Sequence, residues 1–247
     1  DLLIDDINAT GYGLTFGVHT RIDETINQVV NRIHAGNVYV NRNVIGAIVG
    51  VQPFGGEGLS GTGPKAGGPL YLLRLLAKRP AGLPAIRGMS AEQPWRVTLP
   101  GPTGELNTWS LAPRGTVLCV AQTEVWAQAQ WTAVSRSGNR ALFVDTQAGQ
   151  AMVASLAGRP NAPTIAGDKA VDDADVQAVL FEGDGDALLA LNRRVAARTG
   201  AILSVQGLTA QALAAGEGYA IERLLAERSI SVNTAAAGGN ANLMTIG

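Results

Sequence analysis

The sequence predicts an α/β protein with a parallel sheet, and three observations lead to this class. Short apolar segments of strand character alternate with helical segments between residues 116 and 233. An amphipathic helical pattern and an alternating strand pattern follow each other between residues 20 and 41. The 247 residues are 46% hydrophobic and 16% charged, which suits a buried core and is too little charge for a disordered chain.

The first part of the chain contains one strongly amphipathic helix. Thr20 is expected to be its N-cap, with Asp23 three residues later closing a capping box. Apolar residues then recur at helical spacing, at Ile22, Ile26, Val29, Val30 and Ile33. Gly36 is expected to end the helix, and residues 37–41 alternate like a strand. Residues 71–76 form a further short apolar element.

The later part of the chain alternates between the two kinds of element. Strands are expected at residues 116–120, 141–144, 176–181, 201–205 and 229–233. Helices are expected at residues 123–135, 147–156, 186–198 and 221–228. Strands that alternate with helices at this spacing imply a parallel sheet covered by helices on both faces.

A proline-rich segment divides the chain. Residues 80–104 contain five prolines, which cannot occupy helix interiors or central strands. We therefore predict a linker over these residues, with one short extended stretch at 95–99. The resulting division has a first domain at 1–79 and a second at 105–247.

The composition argues against several classes of protein. Nineteen basic and 20 acidic residues give a net charge of −1, so nothing indicates a nucleic-acid-binding surface. One cysteine and two histidines argue against a disulfide framework and a zinc cluster. Apolar runs of only a few residues are far short of the ~20 that span a bilayer. No basic segment followed by an apolar one opens the chain, so we expect a reducing, cytoplasmic setting.

A glycine motif at residues 56–61 (GEGLSG) matches the dinucleotide-binding pattern letter by letter. That pattern requires a preceding strand and a helix that begins inside it, whereas Pro53 precedes it here and Pro64 follows. A tight turn is therefore the favoured interpretation. The acidic run at residues 172–175 lacks the later residues of a calcium loop, which favours a helix end or a solvated turn.

No catalytic residue is assigned in this chain. Cys119 lies within an apolar run, where a cysteine usually behaves as a small hydrophobic residue. No serine lies in a nucleophile-elbow sequence, which argues against a hydrolase triad.

Two glycine-rich stretches are candidates for binding, residues 46–56 and 233–240. Backbone N–H groups near glycines can hold a carboxylate without a cation, and a nearby phenylalanine would supply an apolar wall. The residues themselves allow a small carboxylate-bearing ligand near Gly46, Ala47 and Phe54. A packed turn explains the same residues equally well.

An ordered series of motifs runs through the first part of the chain. The series comprises residues 8–15 (NATGYGLT), 18–20 (VHT), 35–41 (AGNVYVN), 53–56 (PFGG) and 60–61 (SG). In order and spacing, it resembles the C-terminal third of an aldehyde dehydrogenase. Residues 50–69 are similar to the glutamate-semialdehyde (Δ1-pyrroline-5-carboxylate) dehydrogenase branch. Residues 228–247 resemble the end of the bifunctional flavoproteins of the proline utilization A family.

The resemblance implies the end of an aldehyde dehydrogenase catalytic domain followed by a non-catalytic, Rossmann-like domain that covers a substrate channel. It implies oxidation of glutamate semialdehyde to glutamate with NAD, with the cysteine nucleophile and the NAD-binding half upstream of this chain. FAD would belong to a proline dehydrogenase domain of the same polypeptide. Gly46 and Ala47 match the loop whose backbone anchors the substrate carboxylate, Phe54 matches its aromatic wall, and residues 233–247 match a docking tail.

Partners follow from the same resemblance. They are the small-molecule substrate, the remainder of a longer polypeptide and other copies of it in a homo-oligomer. DNA would be bound only through an N-terminal domain absent here. The chain alone is expected to be inactive. The alternative is a non-catalytic Rossmann-like module that binds a small carboxylate or a nucleotide.

Overall fold

The computed structural model describes residues 2–76, 95–167 and 169–235, which form two compact units. The first unit contains the described residues up to 76 together with 95–111 and 227–235. The second contains residues 112–226 apart from residue 168. The chain therefore leaves the first unit after Leu111 and returns to it at Glu227.

The secondary structure alternates along most of the described chain. The helices are α1 (Leu2–Ala9), α2 (Asp23–Arg32), α3 (Glu124–Arg136), α4 (Gln147–Ser155), α5 (Ala170–Asp173), α6 (Gly185–Ala196) and α7 (Ala210–Ala214), with 3-10 turns at Leu72–Arg74 and Ile221–Leu224. The strands are β1 (Tyr12–Gly13), β2 (Thr15–Val18), β3 (Asn37–Val40), β4 (Glu57–Gly58), β5 (Trp95–Leu99), β6 (Glu105–Pro113), β7 (Thr116–Val120), β8 (Arg140–Val144), β9 (Thr164–Ala166), β10 (Ala178–Glu182), β11 (Ser204–Leu208) and β12 (Leu225–Asn233).

A mixed five-stranded sheet in the order β2-β3-β12-β6-β5 organises the first unit. β3 pairs in parallel with β2 on one side and with β12 on the other, and Asn37 lies opposite Ser229. β5 pairs antiparallel with β6. Apolar residues of α1, α2, β3 and β12 form one core, with Ile4, Ile33, Val38, Val40 and Ile230 buried. β12, the last strand of the described chain, therefore lies in the interior of this sheet, between β3 and β6.

A fully parallel sheet in the order β11-β10-β7-β8-β9 organises the second unit. Val117 and Cys119 of β7 pack into one core with residues of α3 and α4, whereas Leu118 and Val120 pack into another with α5 and α6. The predicted parallel sheet with helices on both faces is confirmed. β7 and β10 are neighbours although two strands separate them in sequence, which is a topological switch point.

The first amphipathic helix is confirmed, but both of its predicted ends are wrong. Ile22 is the N-cap, and it makes no side-chain capping bond. Thr20 instead accepts a hydrogen bond from the Ile22 N–H through its hydroxyl oxygen. The helix ends at Arg32 with Ile33 as C-cap, so Gly36 is not its terminator. Gly36 is required for packing, because a Cβ there would overlap the Gly55 carbonyl oxygen.

Two further predicted elements differ from the structure. The predicted helix at residues 221–228 is wrong, since a single 3-10 turn ends at Leu224 and β12 begins at Leu225. The predicted strand at residues 229–233 is confirmed as the later part of β12, whereas the buried, polar Glu227 hid the start of this strand from a search for apolar periodicity. The predicted strand at residues 201–205 lies three residues later, at Ser204–Leu208.

The predicted division into domains also needs correction. Residues 95–99, placed in the linker, form β5 and pair with β6. Residues 105–111 and 227–235, placed in the second domain, belong to the first unit because β6 and β12 complete its sheet. Residues 80–94 of the predicted linker and 236–247 of the predicted tail lie outside the described residues.

Candidate functional site

The predicted substrate residues lie on two loops that follow β3. Asn41 ends the strand in a left-handed conformation with φ of 55°. Its carboxamide both donates to the Thr20 carbonyl and accepts from the Thr20 N–H, each over 2.9 Å. This reciprocal pair fixes the point at which the chain leaves the sheet and enters the first loop, residues 42–52, which we call the anchor loop.

Gly46 and Ala47 occupy the exposed middle of the anchor loop. Gly46 has φ of +85°, and a Cβ there would meet no atom within 4 Å. Within the described part of the chain, the N–H groups of these two residues donate no hydrogen bond. Two adjacent exposed amides in such a loop suit an anionic ligand such as a carboxylate.

Phe54, in the second loop, is half-buried and is fixed through its backbone. Its N–H donates to the Ala66 carbonyl over 3.0 Å, and its carbonyl accepts from the Ala66 N–H over 2.8 Å. The neighbouring Gly67 carbonyl accepts from the Gly50 N–H over 3.2 Å. Gly50 of the anchor loop and Phe54 are therefore hydrogen-bonded to two consecutive residues, Gly67 and Ala66.

Every polar backbone atom of residues 53–55 takes part in a hydrogen bond, and we call this set of bonds the clamp. The Pro53 carbonyl accepts from Asn37 Nδ2 over 2.9 Å and from Ser229 Oγ over 2.7 Å. The Gly55 N–H donates to Asn37 Oδ1 over 3.0 Å, and the Gly55 carbonyl accepts from Lys65 Nζ. Together with the Ala66 bridge, these bonds satisfy the backbone of residues 53–55 completely, which fixes the backbone position of Phe54.

Lys65 is the charged member of this clamp, and its side chain is only 1% exposed. Its ammonium group donates to Asn37 Oδ1 over 3.2 Å and to the Gly55 carbonyl. Burial lowers the pKa of Lys65 to about 8, although the carboxylates of Glu227 and Glu57 act in the opposite direction. The lysine thus remains protonated at neutral pH at a desolvation cost.

Glu227 connects this lysine segment to the central strands. One carboxylate oxygen accepts from the Lys65 backbone N–H over 2.8 Å, and the other accepts from Trp109 Nε1 over 2.9 Å. The sequence did not single out Asn37, Lys65 or Glu227, because no local pattern marks a polar residue whose partner is distant in the chain.

The glycine motif at residues 56–61 and the acidic run at residues 172–175 both have structural explanations. Gly58, in the motif at residues 56–61, has φ of +61° and pairs with Tyr12, and the next helical turn in the described chain begins only at Leu72. The tight-turn interpretation is confirmed. Asp172, in the acidic run, forms a surface ion pair with Arg194 over 2.8 Å. No group of three or more histidine, cysteine or acidic residues among the described residues is placed to hold a metal.

Cys119 behaves as a core residue. It is fully buried within the second unit, and burial raises the pKa of its thiol far above the usual range. A reactive cysteine needs the opposite environment, partly exposed and electropositive. The structural interpretation of this cysteine is confirmed.

The switch point of the second unit bears on nucleotide binding. In dinucleotide-binding folds, the loop after the first strand is glycine-rich and its amides meet the pyrophosphate. The corresponding residues after β7 are Ala121, Gln122 and Thr123, which contain no glycine. The Glu182 carboxylate accepts from the Gln122 N–H over 2.6 Å and from the Thr123 N–H over 3.0 Å. An internal carboxylate therefore occupies donors that a phosphate would need.

Residues 1–78 match the Aldehyde dehydrogenase family. None of the helices in the described ranges is long and apolar enough to cross a membrane.

Similarity to a PutA protein extends over almost the whole chain. It is 48% identical to the Bifunctional protein PutA of Escherichia coli (strain K12) over 99% of this chain and 22% of that protein. It is 51% identical to the 1-pyrroline-5-carboxylate dehydrogenase of Bacillus licheniformis over 32% of this chain and 15% of that protein. The chain thus spans about a fifth of the length of the PutA relative.

A solved structure supports the fold. Proline Utilization A (PutA) from Corynebacterium freiburgense superposes with a TM-score of 0.58 at 20% identity, covering 94% of this chain and 24% of that one. The predicted α/β class is confirmed for nearly the whole chain.

Proposed function

We propose that this chain is part of a longer proline-catabolic polypeptide and supplies the substrate end of a dehydrogenase site. The reaction is oxidation of L-glutamate γ-semialdehyde, formed from Δ1-pyrroline-5-carboxylate, to L-glutamate with NAD. The nucleophile and most of the NAD-binding residues belong to the polypeptide upstream, and FAD belongs to its proline dehydrogenase domain. The names of the PutA and 1-pyrroline-5-carboxylate dehydrogenase relatives support this reaction.

One observation carries the assignment of the site. The exposed amides of Gly46 and Ala47 have no internal acceptor among the described residues, and their loop is tied beside the clamped Phe54. A substrate that ends in an α-carboxylate and has an aliphatic chain matches these features, since amides bind the anion and the ring packs on the methylene groups. Gly46, Ala47 and Phe54 are therefore the proposed substrate-binding residues, and none is catalytic.

Replacing Phe54 with alanine in the longer polypeptide tests this assignment. We expect kcat/KM for glutamate semialdehyde to fall by the equivalent of about 1–3 kcal/mol, because an apolar wall is lost. Propanal, which has no α-carboxylate and fewer methylene groups, should lose much less. The measurement is NADH formation with each aldehyde.

Phe54→Leu is the matched control, since leucine keeps most of the apolar contact without the ring. It should retain most of the activity toward glutamate semialdehyde. If Phe54→Ala lowers kcat/KM equally for the two aldehydes, Phe54 is a structural residue and the assignment is wrong.

The second unit is proposed to be non-catalytic and to cover the channel through which the intermediate passes. Its switch point, where Glu182 occupies the amides after β7, supports a role without a bound nucleotide. Deletion of residues 236–247 keeps every described contact of β12 and removes most of the proposed docking tail, residues 233–247. We expect unchanged proline oxidation and a longer lag before NADH appears from proline, because intermediate escapes into solvent. An unchanged lag would contradict the channel role.

The alternative function is a Rossmann-like module that binds a small carboxylate or a nucleotide. The second unit has the strand order for it, with β7 beside β10. Saturable binding of NAD to this 247-residue chain, measured by calorimetry, would favour this alternative. The occupied amides of Gln122 and Thr123 argue against it.

A further inference from the structure

The anchor loop is held at both of its ends by one carboxylate. Glu105, at the start of β6, accepts a hydrogen bond from Arg42 Nη1 over 2.6 Å through Oε2. Its other oxygen, Oε1, accepts from Gln52 Nε2. Arg42 is the first residue of the loop and Gln52 is the last, so this bridge sets the separation between the ends of the loop.

The bridge is well shielded from solvent. The side chains of Arg42 and Glu105 are 16% and 15% exposed, and Gln52 is 3% exposed. The Arg42 guanidinium also lies over the Tyr39 ring, 4.9 Å from its centre. A charge-assisted bond in such a setting is stronger and more directional than an exposed ion pair, which contributes little to stability.

Arg42 and Gln52, the two partners of Glu105, also form hydrogen bonds with the backbone of the anchor loop. Arg42 donates to the Asn43 carbonyl over 3.1 Å through Nε and reaches the Gly46 carbonyl over 3.5 Å through Nη2. Gln52 Oε1 accepts from the Ile48 N–H over 3.1 Å. Asn43 precedes the Gly46 and Ala47 amides and is bonded to Arg42, whereas Ile48 follows them and is bonded to Gln52. The Glu105 carboxylate holds both Arg42 and Gln52.

We propose that Glu105 is a positioning residue that orients the Gly46 and Ala47 amides toward the substrate carboxylate. The inference rests on the proposed function, and it adds a residue beyond the 1–78 segment that matches the aldehyde dehydrogenase family. Glu105 does not touch the substrate. It acts through Arg42 and Gln52, and it makes recognition of a carboxylated aldehyde depend on β6.

Glu105→Gln in the longer polypeptide is the test, because it keeps the size of the side chain and removes its charge. We expect kcat/KM for glutamate semialdehyde to fall by roughly 10-fold or more, mainly through a higher KM, since a small misplacement of a binding group has effects of this size. Propanal oxidation should change by less than about twofold, because propanal carries no carboxylate for the loop to hold. Retained propanal oxidation also shows that the variant is folded.

Three further variants make the outcome decisive. Arg42→Lys keeps the positive charge but removes Nη2, which reaches the Gly46 carbonyl. It should therefore also lower kcat/KM for glutamate semialdehyde. Asp172→Asn breaks an exposed ion pair, with side chains 51% and 52% exposed, in the second unit and should affect neither aldehyde. Gly46→Ala strains the backbone at φ of +85° without any steric contact, so it tests the anchor loop independently of Glu105.

The results separate this inference from the proposed function. If Gly46→Ala discriminates between the two aldehydes and Glu105→Gln does not, Glu105 has no positioning role while the anchor loop remains the substrate site. If neither variant discriminates, the carboxylate is bound elsewhere and both proposals fail. An equal loss for both aldehydes in Glu105→Gln would mean a general structural role and would also overturn the inference.

Discussion

Gly36→Ala is expected to destabilise the first unit by about 3 kcal/mol, the upper part of the range for overpacking a core. A Cβ at this position would overlap the Gly55 carbonyl oxygen and lie 2.7 Å from Lys65 Nζ. The backbone cannot move away easily. The Gly36 N–H donates to the Gly13 carbonyl over 3.0 Å, and the Gly36 carbonyl accepts from the Ser229 N–H over 2.9 Å.

Hydrogen–deuterium exchange gives the required local measurement in the 247-residue chain. Amides of β3 should exchange faster in Gly36→Ala than in the wild type, whereas amides of β10 in the second unit should keep their rates. Gly218→Ala is the matched control, because a Cβ there meets nothing within 4 Å and φ is ordinary. Wild-type protection of β3 in Gly36→Ala would show that the loop around Gly55 can give way, contrary to the clamp described above.

The second large effect concerns the buried lysine and pH. The pKa of Lys65 is about 8 in the folded chain and its ordinary value is 10.5, so between these values the unfolded chain binds more protons. Stability contributed by this group therefore rises with pH across that window and is lower below it. Relative to Lys65→Met, the wild type should gain up to about 3 kcal/mol between pH 7.5 and 10.5, since one pKa unit corresponds to about 1.4 kcal/mol.

Urea unfolding of both proteins at several pH values gives this difference, and other alkaline transitions cancel in the comparison. A constant difference between wild type and Lys65→Met over the same range would mean that Lys65 is not desolvated.

The sequence predicted several elements of the second unit well, where the strands are apolar and the helices have a regular period. Residues 116–120 and 123–135 were placed to within one residue at each end. The same method found residues 229–233 of β12 but missed the start of this strand, where the polar Glu227 is buried. The Glu227 carboxylate is satisfied by Lys65 and Trp109, which are distant in the chain, and apolar periodicity carries no information about such partners.

In the candidate site, too, local sequence patterns revealed some residues, whereas residues with distant partners were missed. Gly46, Ala47 and Phe54 were singled out from local glycine and phenylalanine patterns, and their role as substrate contacts stays a prediction. The residues that fix these loops, such as Glu105 and Lys65, could not be found in this way. Their partners come from separate parts of the chain, and only the pairing of β3, β6 and β12 brings them together.

The interior position of β12 also has a consequence for biosynthesis. Asn233 Nδ2 donates to the Asn41 carbonyl across a separation of 192 residues. At about 5–20 residues per second, a ribosome would need on the order of 10–40 s to synthesise that stretch. During this interval β3 has a hydrogen-bonding edge that only β12 fills, and such an edge can pair with other nascent chains. This edge of β3 is therefore expected to stay unpaired until residues 227–233 have left the exit tunnel.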